Sequence, residues 1–187
     1  MFKKVMLAIS LLCTSPSAYA LVNAEVFFGN NWYHSQKAND TSFYTSGKSL
    51  SLGVHFDPVP LVPVSVGANY MSVDLEKSDF TNAGSAKINQ IALDLKVWAP
   101  MVPIVTPYLR LRYIANSRLN VTYDNGQRED STRLSGYAFG LGCDYKIIPL
   151  VHAMLEYTQS FERIDEFAGK NRSFNSRILS LGLQVGV

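Results

Sequence analysis

Serine, histidine and carboxylate side chains are the residue types in this chain that could carry out chemistry. His34 and Ser35 are adjacent, and Glu162 and Asp165 supply carboxylates far along the chain. A hydrolytic site would need a serine nucleophile, a histidine base and an acid within hydrogen-bonding reach of one another. Nothing in the sequence requires these four residues to converge, and His34 is more simply explained as a loop residue. We therefore predict no catalytic residue and no enzymatic activity.

The histidines are too dispersed to form a metal site. His34, His55 and His152 lie in three separate segments, without the tight spacing that binds zinc. Cys143 is the one cysteine after the first twenty residues, so an intramolecular disulfide is excluded as well. We predict no metal and no cofactor, and we interpret His55 and His152 as polar side chains of the protein interior.

Pairs of opposite charges form a more informative pattern. Asp94 with Lys96, and Asp144 with Lys146, are each two residues apart, which puts both members of a pair on one face of a β-strand. We expect these pairs to join other charges in a common interior, where they neutralise a closed lumen; a gated path for protons or ions is the alternative. The predicted network comprises Glu25, His55, Asp94, Lys96, Arg110, Arg112, Asp144, Lys146 and Glu156.

The first twenty residues have the features of an export signal. Lys3 and Lys4 precede an apolar stretch, and Ala18-Tyr-Ala20 supplies a small-x-small cleavage site. We predict a signal peptide at 1–20 and a single domain at 21–187. Removal of the two lysines reduces the formal net charge from +2 to near zero. Because no cluster of lysine and arginine remains, we predict no nucleic-acid partner.

The rest of the chain alternates between apolar and polar residues with a period of two. From Leu179 to Val187, leucine or valine occupies every odd position, and serine, glycine or glutamine lies between them. Such alternation predicts a strand with one apolar face and one polar face. The candidates meet or approach the about 9 to 11 residues that a strand needs to cross a bilayer. The eight predicted strands are 24–33, 48–56, 64–73, 87–99, 108–123, 133–147, 151–161 and 174–187.

The connections between these strands are of two alternating kinds. Short connections with proline, which cannot donate to a strand ladder, occur at 57–63, 100–107 and 148–150. Longer polar connections occur at 34–47, 74–86, 124–132 and 162–173. Short turns on the periplasmic side and longer loops outside are typical of outer-membrane barrels, and the turn signal Asp124-Asn-Gly126 predicts that the third external hairpin extends beyond the membrane. The predicted external contact residues are Lys37, Asp40, Lys77, Asp79, Arg128, Glu129, Asp130, Glu162, Arg163 and Lys170.

Strand parity separates the charged residues from the large apolar ones. A charge that faces lipid at the bilayer midplane costs about 2 to 4 kcal/mol, so strand charges confined to one parity are what a membrane requires. The predicted fold class is all-β, an eight-stranded antiparallel up-and-down transmembrane β-barrel, whose lumen the side chains just fill. The aromatic residues predicted to form two interfacial girdles are Trp32, Tyr33, Tyr44, Tyr70, Trp98, Tyr108, Tyr123, Tyr145 and Tyr157.

In these features the chain resembles the small eight-stranded outer-membrane barrels of the OmpA/OmpX type, from about Val22 to Val187. The resemblance rests on architecture and pattern, and it departs at Val187, where such barrels usually carry an aromatic residue. It implies residence in the bacterial outer membrane. It also implies, as partners, outer-membrane lipid and lipopolysaccharide, the barrel-assembly machinery and a surface ligand of unknown identity. The implied function is non-enzymatic, in surface interaction or envelope integrity.

Two other classes stay open at this point. A small outer-membrane transporter or channel would favour apolar inward positions, whereas the predicted inward positions are charged. A soluble secreted barrel of the lipocalin type would bury the apolar face and expose the charged one. Partitioning of the mature protein with membranes would exclude the soluble barrel.

Overall fold

The computed structural model describes most of the chain after the predicted signal peptide. The described residues are 22–37, 40–58, 62–76, 83–99, 105–130, 134–167 and 170–186, and at 33–37, 40–44, 83–84, 129, 134, 164–167 and 170–174 the description covers the backbone alone. Across these ranges there is no helix with the length and hydropathy needed to cross a membrane.

The described residues form nine strands in one antiparallel sheet. The strands are β1 (Val22–Lys37), β2 (Asp40–Phe56), β3 (Val64–Leu75), β4 (Ala83–Trp98), β5 (Val105–Tyr123), β6 (Arg128–Asp130), β7 (Leu134–Ile148), β8 (Val151–Phe167) and β9 (Lys170–Gly186). Pairing of β9 with β1 and of β4 with β5 closes the sheet on itself, and β6 extends β5 as a short hairpin. The predicted eight-stranded barrel is confirmed, with β6 as an addition outside the closed wall.

The strand registers fix the tilt of the strands in the barrel wall. From Glu25, the register partners around the barrel are Gly53, Asn69, Ala92, Ile114, Gly136, Glu162, Phe174 and finally Ser35, which is ten residues further along β1. A stagger of this kind requires strands tilted by roughly 35 to 45° to the barrel axis. Eight strands at this tilt leave a lumen that side chains can fill.

The strands continue well beyond their predicted external ends. β2 begins at Asp40 instead of residue 48, and β8 ends at Phe167 instead of residue 161. Each of these strands has 17 residues, more than the about 9 to 11 that a strand needs to cross a bilayer. Most residues of the predicted loops 34–47 and 162–173 therefore belong to strands, which extend to Lys37, from Asp40, to Phe167 and from Lys170. Polar composition suggested loops there, but paired strands whose outer face meets water are polar too.

A β-bulge in β5 reverses the inward parity of that strand. Ile114 pairs with Ala92 and Asn116 pairs with Ile91, so Ala115 is the extra residue. Below the bulge the even-numbered residues of β5 are buried, and above it the odd-numbered ones are. Because a one-residue shift moves every later side chain to the opposite face, the bulge decides what the external half of β5 places in the lumen.

Two inward glycines accommodate large aromatic rings in the lumen. A Cβ atom at Gly142 would collide with the ring of Tyr108, and one at Gly182 would lie 2.5 Å from the Phe27 ring. Tyr108 is only 3 % exposed, so its predicted place in an interfacial girdle is wrong. It lies on the inward face of β5, and its ring occupies the space that a side chain at position 142 would need.

Candidate functional site

The half of the lumen near Val22 and Gly186 contains a charged layer. It consists of six buried side chains, three cationic and three anionic: Glu25, Asp94, Lys96, Arg110, Arg112 and Glu156. They project from β1, β4, β5 and β8, so the layer crosses the lumen rather than following one wall. Equal numbers of the two charges let each buried ion have a partner, as burial in a protein interior requires.

Arg110 is the centre of the charged layer. Its Nη2 donates to Glu25 Oε2 at 2.7 Å and its Nη1 donates to Asp94 Oδ2 at 3.2 Å. Its Nε lies 3.0 Å from Glu156 Oε2, although that approach lacks hydrogen-bond alignment. One guanidinium thus contacts all three carboxylates, which a lysine, as a point charge, could not match in geometry.

The remaining cations complete the pairing. Lys96 Nζ donates to Glu25, and Arg112 Nε donates to Asp94 Oδ1 at 2.9 Å. The Lys96 Nζ also lies 5.1 Å from the centroid of the Tyr108 ring, a distance at which a cation–π contact is favourable. Glu156 accepts hydrogen bonds from Tyr108 Oη at 2.9 Å and Thr158 Oγ1 at 2.7 Å.

The other predicted network residues lie at the edge of this layer. His55 is buried, with Nε2 3.3 Å from Glu25 Oε2, but neither ring nitrogen has hydrogen-bond geometry. Asp144 Oδ1 contacts His152 Nδ1 at 2.5 Å, in a separate pair nearer the end of the barrel at Val22 and Gly186. Lys146 is half-buried on the inward side of β7, and within the described part of the chain no ion pair includes it. The structure therefore brings seven of the nine predicted residues into or against one layer.

Glu162 requires a correction to its predicted position. We expected it on an external loop, but it lies within β8 and is 5 % exposed. Its Oε1 accepts hydrogen bonds from Gln90 Nε2 at 2.7 Å and Ser160 Oγ at 3.2 Å. These partners are neutral, so Glu162 belongs to a buried polar group that is separate from the charged layer.

An apolar layer lies in the lumen in the other half of the barrel, away from Val22 and Gly186, which we call the external half after its predicted orientation. It consists of Met71, Val73, Ala86, Ile88, Leu119, Val121 and Ile178, each at most 7 % exposed, with Leu75 and Tyr123 packed against them. The sequence analysis missed this layer. A signal was present in β4, where Ala86 and Ile88 have the same parity as Asp94 and Lys96, so one face changes from apolar to charged along a single strand.

The outer surface changes in the opposite direction. Around the charged layer the outward side chains are large and apolar; Leu141 and Leu181, for example, are each 66 % exposed. Around the apolar layer they are polar or charged and exposed: Lys48, Asp74, Lys87, Arg118, Arg163 and Arg177. The level at which the two faces exchange character marks the external edge of the surface suited to lipid.

The predicted external contact residues do not form one surface. Arg128 and Asp130 are exposed on β6, and Arg163 is exposed on the outer face of β8. The backbones of Lys37 and Asp40 pair at the ends of β1 and β2. Lys170 begins β9, and Glu129 lies in β6, but their side chains are not described; Lys77 and Asp79 lie outside the described residues.

The described residues contain no group of three or more His, Cys, Asp and Glu side chains placed to hold a metal ion. The side chains of His34, Ser35 and Asp165 are outside the description. Glu162, the fourth residue considered for hydrolysis, faces the lumen in hydrogen bonds to Gln90 and Ser160. The geometry therefore gives no support for a hydrolytic arrangement around Glu162.

A closed antiparallel barrel with an apolar outside and a charged inside is the architecture of a bacterial outer-membrane β-barrel protein. The sequence matches the family described as the outer membrane protein beta-barrel domain over residues 5–185, and the chain belongs to that family. Because the matched range begins inside the predicted signal peptide, the match does not test that prediction. A search of the curated proteins finds no match.

Solved structures of small outer-membrane barrels share this fold. Neisserial surface protein A is 17 % identical, with a TM-score of 0.68 over 88 % of this chain and 97 % of its own. AlkL in lipid bilayers is 11 % identical, with a TM-score of 0.54 over 90 % of each chain. Ail, the attachment invasion locus protein of Yersinia pestis, is 10 % identical, with a TM-score of 0.53 over 87 % of this chain and 97 % of its own. At these identities the likeness concerns the fold alone.

Proposed function

We propose that this protein is a non-enzymatic outer-membrane anchor with a sealed lumen, which holds β-hairpins at the cell surface for surface contact or envelope integrity. The observation that carries the proposal is the presence in the lumen of two sets of buried side chains, the charged layer and the apolar layer. A solute would have to separate the ion pairs of Arg110 and also pass the side chains packed around Val73 and Val121. The first step would leave buried charges without their partners and the second would open the apolar packing, and both are unfavourable.

The surface part of the proposal rests on the β5–β6 hairpin. Its tip, Asp124-Asn125-Gly126-Gln127, is exposed, and Gly126 has a φ of +80° that favours glycine. Exposed tips of this kind accept contacts without disturbing the wall beneath them. Ail, the attachment invasion locus protein, supports surface contact as a role for a barrel of this size. The unidentified surface ligand, the lipopolysaccharide around the barrel and the assembly machinery are the proposed partners.

The test combines three measurements on one protein. An epitope inserted between Asn125 and Gly126 should be accessible to antibody on intact cells, and the outer-membrane fraction should contain a band that migrates faster before heating than after. The purified barrel in a planar lipid bilayer should show no conductance steps. Regular conductance steps would show that the protein is a channel and not a sealed anchor. A soluble periplasmic product would exclude both the anchor and the channel.

A further inference from the structure

A cluster of charged and polar side chains covers the outer face of four neighbouring strands at the external edge of the apolar surface. Two cross-strand rows build it, and we call them together the basic patch. The upper row is Lys48, Asp74, Lys87 and Asn120. The lower row is Ser72, Asn89 and Arg118, and it begins beside Leu50 of β2. Because each residue is the register partner of the next, these side chains lie side by side on one surface.

The basic patch carries a net positive charge. Asp74 is the register partner of both Lys48 and Lys87, and its Oδ1 lies 3.4 Å from Lys87 Nζ. Asp130, the register partner of Asn120, adds a second carboxylate at the edge of the patch. The three cations, Arg118 among them, still outnumber the two carboxylates. The Lys87 and Asp74 side chains are 50 % and 78 % exposed, so an anion can approach them from outside the barrel.

The apolar surface begins immediately below the patch. Tyr70 and Ile91 are 44 % and 50 % exposed on the next row. Tyr70 Oη donates to Asn89 Oδ1 at 3.0 Å, and Ser72 Oγ donates to the same atom at 3.1 Å. The change from apolar to charged surface is thus complete within two rows, which places the patch at the level of lipid headgroups.

The outer face of β7 and β8 has a different composition. There the rings of Tyr137, Phe139 and Phe161 pack together, with centroid distances of 5.7 to 6.5 Å. Arg163 and Arg177 are exposed outward cations on β8 and β9 as well. Only on β2 to β5 of the described surface do cations adjoin two amides and a hydroxyl in two neighbouring rows, and this combination of groups matches a phosphorylated sugar.

We infer that the basic patch binds the phosphorylated sugar headgroup of an outer-leaflet glycolipid, lipid A. Lys48, Lys87 and Arg118 would contact its phosphates, since ammonium and guanidinium groups form strong charge-assisted hydrogen bonds to phosphate. Ser72 and Asn120 would contact sugar hydroxyls. The acyl chains would lie along the apolar rows below. This inference rests on the proposed outer-membrane location but not on the sealed lumen or the surface hairpin.

The experiment measures lipid A binding by the purified full-length barrel in mild detergent, by native mass spectrometry. The probes are bisphosphorylated lipid A, the same lipid with both phosphates removed, and phosphatidylglycerol. The double variant Lys48→Gln/Arg118→Gln is compared with Arg163→Gln/Arg177→Gln, which removes two exposed outward cations elsewhere. Unheated gel mobility verifies that each variant is folded.

The patch variant should bind bisphosphorylated lipid A about 30-fold more weakly, and the control less than about threefold, because a basic residue near an anionic lipid surface contributes about 1 kcal/mol. Asp74→Asn should bind about fivefold more tightly, a gain that misfolding cannot produce. Equal losses in both double variants, or equal binding of the phosphate-free lipid or phosphatidylglycerol, would overturn the inference. None of these readouts depends on conductance or on the hairpin, so the anchor proposal can fail independently.

Discussion

In the half of the barrel nearer Val22 and Gly186, charged side chains face the lumen and leucines face outward, whereas in the external half the arrangement reverses. The first half places its apolar surface against lipid and must satisfy its charges internally. The second half has the polarity of a water-soluble protein, with an apolar centre and a charged exterior. The comparison indicates that one continuous barrel wall is adapted to two different solvents.

The two halves obtain their stability by different means. In the charged layer, buried ions are tolerated because each has an oppositely charged partner. In the apolar layer, removal of hydrocarbon from water contributes about 25 cal/mol per Å². Loss of one side chain should therefore be most damaging where it leaves other charges unpaired.

The largest expected effect tests the charged layer directly. Arg110→Ala removes a partner from Glu25, Asp94 and Glu156 together, and we expect a loss of about 3 to 5 kcal/mol in the free energy of unfolding. Urea titration of the barrel refolded in lipid vesicles, followed by unheated gel mobility, measures it. Arg177→Ala, at an exposed outward position, should change stability by less than about 0.5 kcal/mol; similar losses in the two variants would remove the distinction.

The apolar layer should respond to volume rather than to charge. Leu119→Ala leaves a cavity among Val73, Ile88 and Val121, with an expected loss of about 2 to 4 kcal/mol in the same titration. Leu119→Met nearly conserves the volume and should cost less than about 1.5 kcal/mol. If the two substitutions cost the same, the external half does not pack as a hydrophobic core.

A smaller effect tests how closely the aromatic side chains fit at the base of the lumen. Gly142→Ala places a methyl group against the Tyr108 ring, and the resulting overpacking should cost about 1 to 3 kcal/mol. Combination with Tyr108→Val should recover part of the loss, because the smaller side chain removes the collision. A double-mutant cycle measures the coupling, and strictly additive costs would show that the ring and the glycine do not compete for space.

The smallest expected effect on stability concerns Asp57, a carboxylate that lies outside the charged layer and its ion pairs. Asp57 lies after β2 at the periplasmic rim, and burial raises its pKa above the usual range although Asn23 Nδ2 donates to it at 3.0 Å. The folded state therefore binds the proton of Asp57 more tightly than the unfolded state does. As pH rises through the folded pKa, Asp57 loses this proton and its charge opposes folding. Asp57→Asn should stabilise the barrel at pH 7 by at most about 0.5 kcal/mol, because Asp57 is partly solvated, and this gain should vanish near pH 3. A gain that is independent of pH would assign the effect to another cause.

The sequence predicted the barrel and its charged residues because the membrane imposes a strict rule on strand parity. Glu25, Asp94, Arg110 and Glu156 face inward as expected, since any other placement would put a charge in lipid. No such rule acts on the external half, where both faces tolerate a mixture of residues. There Glu162, a residue of β8, was predicted to lie in a loop.

The alternation of apolar and polar residues also does not predict the bulge at Ala115. Its effect is to place Leu119 and Val121 in the lumen, although their odd parity matches that of the outward Leu109. An extra residue is recognised by comparing the pairing registers with the two neighbouring strands. A single sequence does not contain these registers. The position of Tyr108 depended on Gly142, a contact between strands that likewise appears only after folding.

The pairing of β9 with β1 joins the two ends of the described chain, from Asn23 opposite Gly186 to Lys37 opposite Arg172. The other wall pairings connect strands that follow each other closely in the chain and can form as local hairpins. Contacts between distant segments form slowly, because a long loop must close before they contribute free energy. Until β9 reaches β1, two rows of unpaired backbone amides and carbonyls remain at the open edges, and a bilayer offers them no hydrogen-bond partner. Insertion and closure of this barrel should therefore be kinetically coupled, with the arrival of β9 as the step that commits the chain to the membrane.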